Sequence, residues 1–460
     1  MPRISRRTFL AATAGMAAAP ALAQTGGPVD IAIVGAGAAG IAAARRIAAA
    51  GRKPLVLEAS ERIGGRCITD TQIFGVPYDP GAHWIHMPDI NPVAKLAPRT
   101  GLEMYPAPTG QRLRIGQRNA REGELEDFLA AVVRCNRAIQ EAARGKVDIS
   151  CAQALPKDVG DMMPVVEFFL GAFGCGKDLA DISAMDFAKS AERYVDTYCR
   201  QGFGALLAKL AEGLPVQVAT PVTQIDSWSR AGVELATARG RVTARAVIVT
   251  ASTNVLAGGK IVFAPELPKR QLEALSKLSL GSYDRIALEL PGNPLGLQRD
   301  DLVFEKAESN RTAALLANVS GTPLAYIDIG GKFGRDLAAK GRREMTAFAI
   351  EWLAGLYGTS IRKSVGRTHA TQWNSEPWAL GAFSAAAVGG QPSRRVLMEP
   401  LRDRVFFAGE AVHETLWGTV GGAWESGERA ANAALRLFGI ITQPEKPDVS
   451  ARPARRQRQR

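Results

Sequence analysis

Glycines 35, 37 and 40, in the run Ile31-Ala-Ile-Val-Gly35-Ala-Gly37-Ala38-Ala39-Gly40, stand where a β-branched stretch gives way to an alanine-rich one. That spacing suits the binding of a diphosphate. Gly35 permits a tight turn, Gly37 lets backbone approach the ligand, and Gly40 lets helix lie against strand. The amides that open a helix over 38–50, those of Ala38 and Ala39 among them, then meet the phosphates with the positive end of the helix dipole. Glu58 follows a second strand over 53–57 and stands where a carboxylate accepts both hydroxyls of an adenosine ribose. Glycine spacing alone is weak evidence, because a plain glycine-rich helix start or a nicotinamide site shares it. The continuation Glu58-Ala59-Ser-Glu-Arg62-Ile-Gly64-Gly65-Arg66 adds more. Its two glycines let amides close over the diphosphate, and Arg62 and Arg66 bring charge that a nicotinamide fingerprint does not need. The expected cofactor is FAD.

The elements that must position these residues suggest an α/β fold. A Rossmann-type FAD-binding domain is expected over 28–83, 204–265 and 395–438, interleaved with an α+β substrate-binding domain over 84–203 and 266–394. The second domain combines a mixed sheet with a helical insertion. Residues 91–203 read as mostly helical, with Leu125, Phe128, Leu129, Val132, Val133 and Ile139 on one apolar face. Strand patterns follow at 216–225, 233–237 and 242–250, a meander that ends in a buried strand. Segments 285–290, 314–319 and 324–329 suggest a second sheet, with a helix over 342–357. A strand at 404–408 and a small-residue helix over 420–438 complete the pattern.

The two ends carry other signals. Arg6 and Arg7 precede Phe9-Leu10, an apolar small-residue stretch and Ala21-Leu22-Ala23, the pattern of a twin-arginine export signal over 1–23; an ordinary basic N-terminus is the alternative. The stretch is shorter than the roughly 20 residues a spanning helix needs, so no stable membrane span is expected. Export by the twin-arginine machinery implies a periplasmic protein that folds around its cofactor first. The formal charge of +12 is concentrated at the ends, in Arg3, Arg6 and Arg7 and in Arg452, Arg455, Arg456, Arg458 and Arg460. The body between them is only mildly basic and gives no case for nucleic acid binding. The tail over 443–460 reads as disordered. Cys67, Cys135, Cys151, Cys175 and Cys199 show no metal-ligand spacing and read as scattered core residues, although an oxidising compartment permits a disulfide. No metal site is expected.

Three more segments join the fingerprint. They are Asp79-Pro80-Gly81-Ala82-His83-Trp84-Ile85-His86; Trp373 with Glu376-Pro377-Trp378 and Gly381-Ala382-Phe383-Ser384; and Phe407-Ala408-Gly409-Glu410 with Trp417-Gly418-Thr419-Val420-Gly421-Gly422-Ala423. Together the four resemble the flavin-containing amine oxidase family, which includes monoamine oxidases, polyamine oxidases and lysine-specific histone demethylases. The resemblance runs over about residues 29–435, dense at both ends and vague in the helical insertion. It implies that Gly81, Ala82, His83 and Trp84 border the flavin, that Val222 contributes to its cleft, and that Gly409 and Glu410 stand near the ribityl chain and diphosphate. The helix start at Thr419, Val420 and Ala423 would stabilise negative charge on the reduced ring. A simple turn at Gly81 and a capping carboxylate at Glu410 are the plainer readings.

Phe383 and Thr419 match the positions where monoamine oxidases carry two tyrosines, so the resemblance implies that this aromatic cage is absent. Trp417 and Trp378 are either a wall of the substrate chamber or core aromatics. Ala382 matches the flavin-linking cysteine, which implies noncovalent FAD. His86 matches a channel histidine of polyamine oxidases, with His83 turned to the other side. Arg285 stands where many members carry a lysine that holds water against flavin N5 and assists reaction with oxygen; a surface arginine on an edge strand is the alternative.

The implied activity is oxidation of a small-molecule amine to an imine, with Arg285, His86, Phe383, Trp417 and Thr419 as candidate catalytic residues. Hydrolysis of the imine and reoxidation of the flavin by oxygen, with peroxide release, would complete the cycle. Alternatives are a dehydrogenase or desaturase that passes electrons to a periplasmic carrier, and a non-enzymatic flavoprotein subunit. No Ser/His/Asp or Cys/His nucleophile set is evident.

Overall fold

Val29–Val34 forms a strand whose last four residues are buried, and parallel neighbours on both sides require it to be apolar on both faces. The computed structural model, which describes residues 29–191, 195–228 and 232–440, sets this strand between Gly240–Val249 and Pro54–Leu57, both parallel to it. Among the described residues, eight strands make up this sheet. Val405–Phe407 lies parallel beside Gly240–Val249, and Val222–Asp226 and Val233–Thr237 form the expected antiparallel meander. The export signal and the basic tail lie outside the described residues.

The helix Ala38–Ala49 packs along the final helix, Val420–Leu437. Small residues make the approach possible. A Cβ on Gly40 would lie 1.9 Å from the carbonyl oxygen of Gly35, and one on Gly427 would lie 2.0 Å from that of Ala39. The first helix is thereby pinned to the strand it follows and to the last helix of the chain.

The single strand expected over 216–225 is instead two elements. Val216–Gln217 pairs with Pro54–Leu57, whereas Val222–Asp226 pairs with Val233–Thr237 on the far side of the sheet. Ala219 at φ 49° turns the chain, and Pro221 has no amide to give a ladder.

A second sheet of seven strands among the described residues carries Tyr283–Glu289 between Leu324–Gly330 and Thr368–Ala370, antiparallel to both. Arg112–Ile115 and Arg118–Asn119 join its other end. Met104–Pro106 and Asp196–Cys199 form a third, small sheet with Ile85–His86. The region 91–203 is therefore mixed rather than mostly helical. Its long helix, Glu122–Ala142, buries Phe128, Cys135 and Ile139, but Leu129 is 39% and Val133 67% exposed. The contact takes a narrower stripe than the apolar residues offer, and Cys135, two turns after Phe128, replaces the outer pair. All five cysteines are buried, and none of them forms a disulfide. No helix among the described residues is long and apolar enough to cross a membrane.

Gly40→Ala places a methyl against a backbone carbonyl that cannot rotate away. The variant should lose about 1–3 kcal/mol of stability, read as a lower thermal midpoint and poorer retention of FAD. An unchanged midpoint would mean that helix and strand tolerate a wider gap.

Candidate active site

Both fingerprint loops meet in one cleft. Gly35, at φ 105°, turns the chain over the end of the first strand, and its amide donates to the carbonyl of Leu57 at 2.8 Å. The amide of Gly64 donates to Ala36 O at 2.8 Å, which folds the second loop onto the first. Gly35, Gly37 and Ala39 line the cleft on one side, and Glu58, Ala59 and Arg62 follow them. Gly65, Arg66 and Val222 close the next wall. Gly409, Glu410 and Ala423 complete it from the C-terminal half of the chain. Gly37 faces open space where a side chain would stand. Ala38 and Gly40 are buried in the helix behind, and Gly64 is buried beneath the second loop.

Glu58 is 6% exposed. Its Oε2 accepts from Ala36 N at 2.6 Å, and its Oε1 accepts from the amide and hydroxyl of Ser60, each at 2.8 Å. The carboxylate is thus held at the cleft with lone pairs remaining. Arg62 closes its own loop by donating to Gly65 O at 2.8 Å. An open face at Gly37, amides at a helix start, an anchored acid and small residues on the facing wall fit a flavin dinucleotide.

Glu410 collects donors from distant parts of the chain. Its carboxylate accepts from Arg66 Nη1 at 3.0 Å, Ser384 Oγ at 2.7 Å and Gly418 N at 2.8 Å, and the Ser384 amide points at both oxygens. Burial would raise its pKa, but Arg66, Ser384, Arg394 and the Gly418 amide together hold it below the ordinary value. It is a buried anion with its partners in place.

Arg285 is 3% exposed on a strand with partners on both sides, so the edge-strand surface arginine is excluded. Its Nε and Nη2 donate to the two oxygens of Asp328 at 2.8 and 2.9 Å, and its Nη1 donates to the carbonyls of Asp79 and Gly81 at 2.7 and 3.0 Å. The guanidinium also lies 4.3 Å from the ring centroid of Tyr326. Burial alone would lower its pKa, but the Asp328 pair overrides this and raises it. Arg285 therefore fixes the 79–81 turn. A Cβ on Gly81 would lie 2.0 Å from Arg66 O, which explains why that turn carries glycine, and Ala82 N donates to the same oxygen at 3.0 Å.

The other candidates separate. Thr419 caps the final helix, accepting from Gly422 N at 2.9 Å and donating to Leu416 O at 2.7 Å; Val420 opens that helix. Phe383 packs against Tyr283 with ring centroids 5.7 Å apart. Trp417 is 1% exposed in a cluster with Phe168 and Ala385, away from the cleft lining. Trp378 does line the cleft, 39% exposed, with Lys260 Nζ 5.0 Å from its ring. His83 Nδ1 is 2.7 Å from Asp79 Oδ2, and its ring stacks on Tyr198 at 4.7 Å. Trp84 packs on the same tyrosine at 5.0 Å. His86 Nδ1 is 2.6 Å from Asp196 Oδ1. Among the described residues no His/Cys/Asp/Glu group could hold a metal ion.

Thr250 and Lys260 line the cleft without an assigned role in the sequence, and Trp373, there only part of a motif, lines it as well. Thr250 follows the parallel strand Gly240–Val249, and the carboxyl ends of parallel strands are where such folds bind ligands. Trp373 is held at both ends. Its amide donates to Asp284 Oδ1 at 2.8 Å and its Nε1 to Pro80 O at 3.1 Å. Asp284 is fully buried, and its Oδ2 has no partner. Burial, with a smaller contribution from Asp328, raises its pKa to about 6 against the lowering donors Trp373 N and Thr371 Oγ1.

Residues 38–435 match the family described as flavin containing amine oxidoreductase. Lysine-specific histone demethylase 2 of Homo sapiens is 27% identical over 449 residues, covering 88% of this chain and 53% of that protein. The chain thus spans about half the length of that demethylase. Probable polyamine oxidase 4 of Arabidopsis thaliana is 25% identical over 441 residues, covering 89% of this chain and 87% of its own. Among solved structures, putrescine oxidase bound to putrescine superposes with a TM-score of 0.75 at 21% identity, covering 89% of this chain and 99% of that one. Cyclohexylamine oxidase from Brevibacterium oxydans gives 0.75 at 21%, covering 90% and 100%. These two likenesses establish the fold.

Asp284 binds its proton more tightly folded than unfolded, so the stability it contributes is complete below the ordinary carboxylate pKa and is lost as pH rises through about 6. Asp284→Asn keeps the acceptor for Trp373 and removes the charge. Relative to wild type, the variant should gain stability of order 2 kcal/mol above that pH and little in acid. Thermal unfolding at both pH values checks this. A difference independent of pH would mean that burial leaves the pKa of Asp284 unshifted.

Proposed function

The chain belongs to the family of flavin containing amine oxidoreductases, and on that footing we propose that it oxidises a small-molecule amine with noncovalently held FAD. The observation that carries this reading is the convergence of both fingerprint loops, Glu58 and Glu410 on one cleft. A bound flavin supplies the acceptor for the hydride equivalent leaving the carbon that bears nitrogen. Water then hydrolyses the imine to an aldehyde or ketone plus an amine or ammonia.

The protein's part is orientation and exclusion of water. Phe383 and Tyr283 form a tilted aromatic pair, with ring centroids 5.7 Å apart and an interplanar angle of 47°, an apolar surface that helps exclude water. The Thr419-capped helix start offers positive potential where negative charge develops. At Ala382 there is no nucleophile to link to the flavin. Likeness to a polyamine oxidase, a putrescine oxidase and a cyclohexylamine oxidase supports a small amine as substrate.

Oxygen, reduced to peroxide, is one candidate acceptor. One observation favours a periplasmic electron carrier instead: Asp328 neutralises Arg285, and two carbonyls hold its remaining donors. A lysine ammonium is a compact charge free to hold water, whereas this guanidinium fork is already engaged. The Arg6-Arg7 signal supports export to the periplasm.

Anaerobic mixing of the holo-protein with primary, secondary and polyamines should bleach the visible absorbance of the flavin; a panel with no bleaching would leave only a binding subunit. Peroxide yield in air then separates oxidase from dehydrogenase. Arg285→Lys should raise the ratio of reoxidation by oxygen to reduction by amine, and an unchanged ratio would remove position 285 from oxygen chemistry. Changing Arg6 and Arg7 together to lysine should retain folded, flavin-loaded protein in the cytoplasm. Undiminished periplasmic activity in that variant would overturn the export reading.

A further inference from the structure

Two residues outside every motif, Asp186 and Arg394, form an ion pair in which both side chains are 1% exposed. Asp186 lies on the helix Ala184–Lys189 of the insertion, and Arg394 on Ser393–Met398, just before the last strand of the FAD-binding sheet. The pairing is a planar fork on a carboxylate: Arg394 Nε and Nη2 each donate to Asp186 at 2.7 Å. Arg394 Nη1 is directed elsewhere, to Ala411 O at 2.9 Å and Ser384 Oγ at 3.2 Å. Asp186 Oδ2 also accepts from Ala386 N at 3.1 Å.

The contact with Ser384 fixes a proton. A guanidinium donates and never accepts, so Ser384 Oγ must be the acceptor toward Arg394. Its single hydroxyl hydrogen is then committed to the other neighbour, Glu410 Oε2 at 2.7 Å. Glu410 lines the cofactor cleft. A continuous line of charge-assisted hydrogen bonds thus runs from the insertion to the cleft: Asp186, Arg394, Ser384, Glu410 and, beyond it, Arg66. Well-packed apolar side chains of similar volume would hold two helices together as well as a buried ion pair does. What they could not do is orient a hydroxyl.

We propose that Asp186 and Arg394 are positioning residues that lock the Ser384 hydroxyl onto Glu410, and that through this line the insertion sets how tightly the cleft holds its flavin. The proposal rests on the reading of the cleft as a flavin site. Arg394 touches neither cofactor nor substrate in this scheme; it acts through Ser384. The insertion helix becomes part of the cofactor site without reaching it.

The test is a thermodynamic cycle on FAD affinity, measured by titrating apoprotein with FAD. The proteins are wild type, Ser384→Ala, the apolar pair Asp186→Leu with Arg394→Met, and the triple variant. Loss of one oriented hydrogen bond to a carboxylate should weaken binding about tenfold in Ser384→Ala. The apolar pair should lose a comparable factor while keeping its thermal midpoint, and the triple variant should be no weaker than Ser384→Ala alone. The flavin midpoint potential should move together in all three, which a merely structural role would not produce. An apolar pair that binds FAD like wild type, or losses that multiply in the triple variant, would overturn the proposal. If the apolar pair does not fold, Arg394→Lys enters the same cycle with Ser384→Ala, and multiplying losses again overturn it. Failure of wild type to bind FAD would instead remove the flavin reading itself.

Discussion

A buried carboxylate cannot stay charged without donors, and Glu410 obtains its donors from three separate stretches of chain. Arg66 comes from the second fingerprint loop 344 residues away, Ser384 from the turn after Trp373, and the Gly418 amide from the approach to the final helix. Each of these segments also borders the cleft. Removing the anion would leave several donors facing apolar surroundings, at about 1–3 kcal/mol for each buried group left unpaired. Electrostatics and close backbone packing act together here, since backbone segments around the cleft approach one another closely at glycines such as Gly40, Gly81 and Gly427.

A second anion, Asp328, does comparable work in the other sheet. It holds Arg285 by two hydrogen bonds and accepts from Tyr283 Oη at 2.8 Å. The arginine passes this order to the 79–81 turn through two carbonyls. The turn, in turn, accepts Trp373 Nε1 at Pro80. The second sheet is thus joined to the 79–81 turn by polar contacts with defined geometry rather than by apolar packing alone, which suits a site whose partners must hold position within about 0.5 Å.

Much of this was legible because its causes are local. The turn at Gly35, the helix start at Ala38 and the acid at Glu58 are consequences of residues a few positions apart, and the strand–helix–strand order follows from apolar periodicity. The helix Arg342–Tyr357 and the strand Val29–Val34 fall where the pattern places them. Long-range pairing is another matter. Nothing near Arg285 in the chain announces Asp328, and nothing near Ser384 announces Arg394 bonded to Asp186, 208 residues from it. The apolar run across 216–225 hid a reversal because periodicity reports burial and not which neighbour a strand takes. On the insertion helix, Leu129 and Val133 looked like core because a helix can offer more apolar surface than its partner covers.

The account's central claim is that these converging segments form one flavin site, and a structure of the protein determined with FAD tests it most directly. The predicted result has the diphosphate against the amides at Gly37 and Gly65, the adenosine ribose within hydrogen-bond reach of Glu58, the flavin ring bordered by Gly81 and the start of the final helix, and no bond to residue 382. FAD bound elsewhere on the chain, or a Glu410 carboxylate turned away from Arg66 and Ser384 when FAD is present, would contradict it.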